Sequence, residues 1–253
     1  MSSVDLMELM QENVLSLNPY LVENTECKIK LHANENPFPP SKELLDVFSE
    51  SLQKLQLNRY PDPDSKKLKD SIANQLVTEA ERLVIGNGSD EIILFILQVF
   101  CKEGDTITFP DPTFAMYSII SKGLGIKPAS IALDSQWDFS ADLLLRSANE
   151  NNSKVIFLSY PNNPTGNCFS DMEIQKVIEN FKGIVVIDEA YHDFSQKTFI
   201  NQIKKHNNLV ILRSLSKIGL AGLRVGFGVA DPLIINEINK VRLPYNSNII
   251  SQT

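Results

Sequence analysis

Six short apolar runs set the limits on what this chain can become: Leu83–Gly86, Thr106–Phe109, Val155–Ser159, Ile184–Asp188, Leu209–Arg213 and Arg224–Val229. Between them lie amphipathic stretches of helical length, at Asp64–Thr78, Asp90–Phe100, Thr113–Gly123, Asp171–Phe181 and Pro232–Arg242. A strand that is apolar throughout cannot turn either face to water, so both faces of its sheet need cover. Spacers of helical length supply that cover. The pattern predicts an α/β fold with a mostly parallel sheet and helices on both faces. In such sheets ligands bind beyond the carboxyl ends of the strands, so the strand-to-loop junctions are where chemistry is expected.

At 253 residues, 43% hydrophobic and 22% charged, the chain has the composition of a soluble protein with a sizeable core. A net charge of −7 argues against nucleic acid or an anionic membrane as the main partner. The longest apolar run, Ile92–Cys101, is broken by Gln98 and is too short to span a bilayer. The start, Met1-Ser-Ser-Val-Asp-Leu-Met-Glu8, lacks a basic segment followed by an apolar one. Cys27, Cys101 and Cys168 are scattered and not at metal-ligand spacing. These features predict a cytoplasmic protein with free thiols and no metal. Residues 1–40, with Asn18-Pro-Tyr20 and Asn34-Glu-Asn-Pro-Phe-Pro-Pro40, read as an irregular extended arm.

Four junctions carry unusual chemistry. Gly86-Asn-Gly-Ser-Asp-Glu91 opens a helix, where Ser89 or Asp90 can cap and free N–H groups can bind phosphate; a plain capped helix start explains it equally. Tyr160-Pro-Asn-Asn-Pro-Thr-Gly166 holds two amides in a proline-stiffened turn that can aim a donor at a ligand oxygen, or is simply a turn. Gly183-Ile-Val-Val-Ile-Asp-Glu-Ala-Tyr191 puts Asp188 directly after an apolar strand, where a carboxylate is costly unless paired with a positive group. A protonated pyridine nitrogen is such a partner, and a metal is the other option. No Gly-x-x-x-x-Gly-Lys-Ser/Thr loop accompanies Asp188-Glu189 to supply the phosphate half of a nucleotide site.

The fourth junction is Arg213-Ser-Leu-Ser-Lys-Ile-Gly-Leu-Ala-Gly-Leu-Arg-Val-Gly226. It sets Lys217 among Ser214, Ser216 and Arg224. An unprotonated lysine can form a Schiff base with an aldehyde cofactor, and hydroxyls with an arginine can hold that cofactor's phosphate. A surface lysine in a polar loop is the commoner case. An imine-forming lysine, a buried carboxylate, a rigid Asn and several phosphate ligands at one sheet edge are together what pyridoxal 5′-phosphate needs.

The motifs Asn34-Glu-Asn-Pro37, Arg59-Tyr-Pro-Asp-Pro63, Gly88-Ser-Asp-Glu91, Pro112-Thr-Phe114, Asn162-Asn-Pro-Thr-Gly166, Asp188-Glu-Ala-Tyr191, Ser214-x-Ser-Lys217 and Ala221-Gly-Leu-Arg224 run through essentially the whole chain. In this order they resemble the histidinol-phosphate aminotransferase family of fold-type I pyridoxal phosphate enzymes. The resemblance implies an arm at 1–40, a cofactor-binding large domain at 41–245, and at 246–253 the start of a smaller C-terminal domain. In the family that domain runs for roughly another hundred residues and carries the arginine that clamps a substrate α-carboxylate. Lys217 then resembles the imine-forming lysine and proton shuttle, and Asp188 the partner of the pyridinium nitrogen. Asn163 and Tyr191 resemble donors to the cofactor's phenolic oxygen. Ser89, Asp90, Ser214, Ser216 and Arg224 fall where the family holds phosphate, and Phe114 where a ring stacks on the cofactor. Tyr60 matches a tyrosine lent across a homodimer interface. Tyr20 and Asn36 match arm residues that close over substrate. Arg224 lies seven residues after Lys217, one fewer than in the broader aminotransferase pattern.

The resemblance implies amino-group transfer between L-histidinol phosphate plus 2-oxoglutarate and imidazole-acetol phosphate plus L-glutamate. An aromatic amino acid aminotransferase, a threonine-phosphate decarboxylase and a non-catalytic cofactor-binding fragment stand beside it as alternatives. His32, His192 and His206 show no ligand spacing and read as structural or solvent-facing. Trp137 reads as a packing residue and Cys168 as a small buried apolar side chain.

Overall fold

Every residue of Ile184–Asp188 is buried, and the same holds for Val155–Ser159 and Val225–Val229, which is what uniformly apolar strands require of the layers around them. The computed structural model of the protein describes residues 4–21 and 26–253, so the parts of the expected arm at 1–3 and 22–25 lie outside the described residues. The strands are β1 (Leu83–Asn87), β2 (Thr106–Asp111), β3 (Lys127–Ala132), β4 (Val155–Ser159), β5 (Ile184–Asp188), β6 (Leu209–Ser214) and β7 (Val225–Val229). They form one sheet in the order β1-β7-β6-β5-β4-β2-β3. The helices are α1 (Glu12–Leu15), α2 (Lys42–Leu52), α3 (Lys66–Leu76), α4 (Ser89–Phe100), α5 (Met116–Gly123), α6 (Ala141–Glu150), α7 (Asp171–Asn180), α8 (His192–Ser195) and α9 (Pro232–Val241).

Alternate residues of each central strand feed two cores. Val185, Ile187, Leu209 and Ile211 pack on one face with Leu144, Ile174 and Val177 of α6 and α7. Ile184, Val186, Val210 and Leu212 pack on the other with Ile92, Ile96 and Ile235 of α4 and α9. In α4 five apolar side chains are buried, each contributing about 1.5–3 kcal/mol by its removal from water.

The sheet is mostly parallel, as expected, with one exception: β7 runs antiparallel to both β1 and β6. Residues 215–224, which join β6 to β7, hold only two short 3₁₀ turns. A parallel crossover takes about a dozen residues or more, so the chain must return antiparallel. This reversal has a functional consequence: the start of β7 comes to the edge where β5 and β6 end.

The structure trims several expected elements and adds others. The strand expected from Arg224 starts one residue later because Arg224 is left-handed (φ 53°). The helix expected over Asp64–Thr78 shortens to α3 because Ser65 and Val77 take left-handed dihedrals at its ends. β3, α2 and α6 are additions. β3 is an edge strand containing Pro128, exposed or half-buried along its length, and it lacks the apolar run that marks the others. The arm is largely irregular and exposed, tied down where Asn13 donates to the carbonyls of Lys122 and Gly123 at the end of α5. Residues 246–253 pack on the same body: Ser247 and Ser251 are buried, and Gln252 donates to the carbonyl of Asp62. Trp137, expected to pack, is instead half exposed at a left-handed turn (φ 61°), with its carbonyl accepting from Asn167. Cys168 packs, partly buried, against the core.

Candidate active site

At the carboxyl edge of the sheet lies a cavity of about 600 Å³. Its inner wall is set by Asp188, the last residue of β5, 3% exposed. One carboxylate oxygen accepts from the hydroxyl of Tyr117 at 2.9 Å, and the other from the N–H of Ala190 at 3.1 Å. Burial pushes this carboxyl up to about 6, the two hydrogen bonds oppose the shift, and the negative charges of Asp90 and Glu189 add to it. No ion pair among the described residues includes Asp188. Asp188 is thus a buried carboxylate held by two neutral donors.

Lys217 stands across the cavity on the short 3₁₀ turn Ser216–Ile218. Its Nζ donates to the carbonyl of Ala33 in the arm at 3.1 Å and lies 5.6 Å from the ring centre of Tyr191. Burial holds its ammonium below the ordinary lysine range, and Arg224 adds to that, while Asp90, Glu35 and Asp188 pull the other way. Depression of this kind makes a neutral, nucleophilic amine accessible.

The third component is a cradle for an anion. Ser89 and Asp90 form the first turn of α4, where backbone N–H groups have no helical acceptor. Neither side chain caps the helix, contrary to expectation; Gly88 holds the N-cap position with φ +88°. A side chain at Gly88 would run into the Arg224 guanidinium, its Cβ falling 2.4 Å from NH2. One at Gly226 would strike the Ser89 nitrogen at 2.2 Å. The two glycines therefore let β7 and Arg224 close against the α4 turn. Ser214 donates to Ser216 Oγ at 2.8 Å and accepts from the Ser216 N–H, so both hydroxyls face the same corner. Arg224 NH2 lies 3.6 Å from Asp90 Oδ2, and burial raises the Asp90 carboxyl despite that cation. Asp90 can serve a bound anion through its backbone, not through its carboxylate.

Asn163, Phe114 and Tyr191 complete the wall. Tyr191 Oη accepts from Asn34 at 2.8 Å, which opposes the upward push of burial on the phenol. Tyr20 lines the mouth. Asn36 is not on the wall; its side chain lies against Gly219 of the Lys217 loop. Tyr60 also lies away from this cavity, 80% exposed and stacked on Tyr245 with ring centres 4.5 Å apart. His32, read as structural or solvent-facing, is exposed and borders the cavity. Tyr117 and Asn34 were not singled out as site residues, although Asn34 belongs to the Asn34-Glu-Asn-Pro37 motif. Tyr117 carries no motif signal; only its helical position beside Phe114 hints at it.

The same fold recurs in solved aminotransferases. The solved histidinol-phosphate aminotransferase of Sinorhizobium meliloti, in complex with pyridoxal-5′-phosphate, superposes with a TM-score of 0.79 at 23% identity, over 87% of this chain and 61% of that one. The model of the family "Aminotransferase class I and II" matches residues 26–253, and the chain belongs to that family. Among curated proteins, the histidinol-phosphate aminotransferase of Caldanaerobacter subterraneus subsp. tengcongensis is 38% identical over 245 residues, covering 96% of this chain and 70% of its own. Histidinol-phosphate aminotransferase 2 of Nitrosococcus oceani is 40% identical over 239 residues, covering 93% and 66%. The chain thus spans about two-thirds of the length of these relatives. Among the described residues no helix is long and apolar enough to cross a membrane.

Proposed function

We propose that the cavity holds pyridoxal 5′-phosphate, and that the chain serves transamination between L-histidinol phosphate plus 2-oxoglutarate and imidazole-acetol phosphate plus L-glutamate. The observation that carries this reading is the meeting, in one cavity, of a desolvated lysine amine, a buried carboxylate with no cationic partner and an anion cradle. Such a donor set fits a flat aromatic aldehyde with a ring nitrogen at one end and a phosphate at the other. When bound, the cofactor supplies an electron sink for the bonds to the substrate's amino-bearing carbon.

The protein's own groups do the rest. Ser89, Asp90, Ser214, Ser216 and Arg224 hold the phosphate through N–H, hydroxyl and guanidinium donors. Asp188 keeps the ring nitrogen protonated, and in return gains the cation that its burial demands. Asn163 and Tyr191 donate to the ring oxygen, and Phe114 packs on the ring face. Lys217 anchors the group through its amine. With its amine free, Lys217 would carry the proton from the substrate's amino-bearing carbon to the cofactor, as base and then as general acid. Tyr20 and Asn36, on the arm beside Lys217, close over the substrate. The exposed Tyr60 suits a cytoplasmic homodimer in which it reaches the neighbouring subunit's phosphate.

Incubation with pyridoxal phosphate, absorbance in the imine region, borohydride reduction and peptide mass spectrometry test the cofactor half. The expected result is a reduced adduct on Lys217; no adduct there overturns the proposal. Turnover of histidinol phosphate against phenylalanine and threonine phosphate tests the substrate half, with histidinol phosphate expected to lead.

A further inference from the structure

The geometry points to Tyr117 as the positioning residue that fixes the orientation and charge of Asp188 for a cationic ligand atom. This rests on the reading of Asp188 as the partner of the cofactor's ring nitrogen. Tyr117 is fully buried on α5. Its ring stacks on Phe157 of β4 with centres 4.7 Å apart and meets Phe114 edge-on at 5.5 Å. Phe109 of β2 closes a third side at 6.2 Å. A ring held by three aromatics can send its hydroxyl in one direction only, and that hydroxyl donates to Asp188 at 2.9 Å. The other Asp188 oxygen takes the Ala190 N–H at 3.1 Å, so two donors on different elements define the carboxylate plane.

The charge balance makes the Tyr117 bond more than a packing accident. Asp188 is faced by Asp90 from α4 and by Glu189 and Tyr191 along its own chain, with Lys217 across the cavity. Two of these are like charges, and burial already disfavours ionisation. The phenol of Tyr117 is pushed well above its ordinary range by the same burial, so it remains a neutral donor at any physiological pH. Ser159 lies by the phenol, but its own hydroxyl is spent on the Pro161 carbonyl. Without Tyr117, the oxygen it serves would keep no donor, and the carboxylate would be harder to ionise and free to rotate.

The test uses the full chain. Tyr117→Phe keeps the ring and its three aromatic neighbours and deletes only the O–H. The Asp188 carboxyl titration, followed by carbon NMR without cofactor, is expected to move up by roughly one pH unit, the size expected for one hydrogen bond to a charged group. Pyridoxal phosphate affinity near pH 5 is expected to fall about tenfold, because the ring cation must there displace a proton that Asp188 holds about tenfold more tightly, and to change little at pH 8. In an Asp188→Asn background, Tyr117→Phe is expected to change affinity less than about twofold, because the two groups then no longer couple. Incorporation of 3-fluorotyrosine at 117, a more acidic donor, is expected to shift Asp188 downward, and this arm decides if Tyr117→Phe fails to fold. An unmoved Asp188 titration in a folded Tyr117→Phe chain overturns the inference, as does equal loss of affinity in both backgrounds. Failure of the unsubstituted chain to bind pyridoxal phosphate overturns the functional reading instead, and the NMR arm separates the two.

Discussion

Asp188 and Glu189 are neighbours in sequence and equally buried, yet they belong to two regions that solve the same electrostatic problem in opposite ways. Glu189 turns away from the cavity. Arg213 of β6 contacts it through Nε at 3.0 Å and NH2 at 2.9 Å, Thr198 donates to both of its oxygens, and the Phe199 N–H adds a further bond at 2.7 Å. Burial pushes the Glu189 carboxyl up, and Arg213 opposes that push. Asp188 has two neutral donors and no cation. The saturated carboxylate ties the ends of β5 and β6 together, whereas the unsaturated one keeps its need for a positive charge open to a ligand. On the proposed reading, adjacent residues of one strand end divide stability and binding between them.

The largest expected effect comes from breaking the saturated side. Arg213→Met leaves Glu189 buried and unpaired, which costs about 3–5 kcal/mol. Chemical denaturation at pH 8 should show that loss. The double substitution Arg213→Met with Glu189→Leu should recover most of it, because an apolar pair of similar volume removes the stranded charge. A single variant as stable as the double one would show that Glu189 reaches water.

What could be read from the chain before its structure follows the same division. Asp188, Lys217, Ser89 and Arg224 were legible because each sits near a strand–loop junction, where a polar residue beside an apolar run stands out. Tyr117 and Asn34 act on Asp188 and Tyr191 across 71 and 157 residues, a distance that no local pattern encodes. The clamp on Glu189 was equally hidden, since Arg213 reaches it through the β5–β6 pairing and Thr198 through the fold of the segment between those strands. In the fold, the apolar central strands and their helices were visible by period. β3 was not, because an edge strand with Lys127, Pro128 and Ser130 lacks the apolar signal, and the antiparallel turn of β7 was set by a link too short for a crossover.

The middle effect sharpens the unsaturated side and has the opposite sign. The Asp188 carboxyl is raised to about 6 from an ordinary 3.8, so the folded chain binds that proton more tightly than the unfolded one. The associated stability is complete below pH 3.8 and is lost as pH rises through about 6. Above that range the cofactor-free chain carries a burden of about 3 kcal/mol from this group. Asp188→Asn should therefore raise the stability of the cofactor-free chain at pH 8 by up to about 3 kcal/mol, with no gain at pH 3.5. Cofactor affinity should fall at the same time. A gain independent of pH would mean that the carboxylate is not the strained group.

The smallest effect probes how far saturation at Glu189 is shared. Thr198 Oγ1 donates toward Glu189 while accepting from Arg213 NH2 at 3.0 Å and from the Ile200 N–H at 3.1 Å, so it joins three partners without carrying charge. Thr198→Val preserves the branched shape and deletes those bonds, which should cost about 1–2 kcal/mol. Because the Arg213–Glu189 contact survives the substitution, the loss should be well below that of Arg213→Met and should leave the Asp188 titration unchanged. If Thr198→Val instead shifts that titration, the two carboxylates are coupled through the end of β5, and the clamp tunes the cavity as well as bracing it.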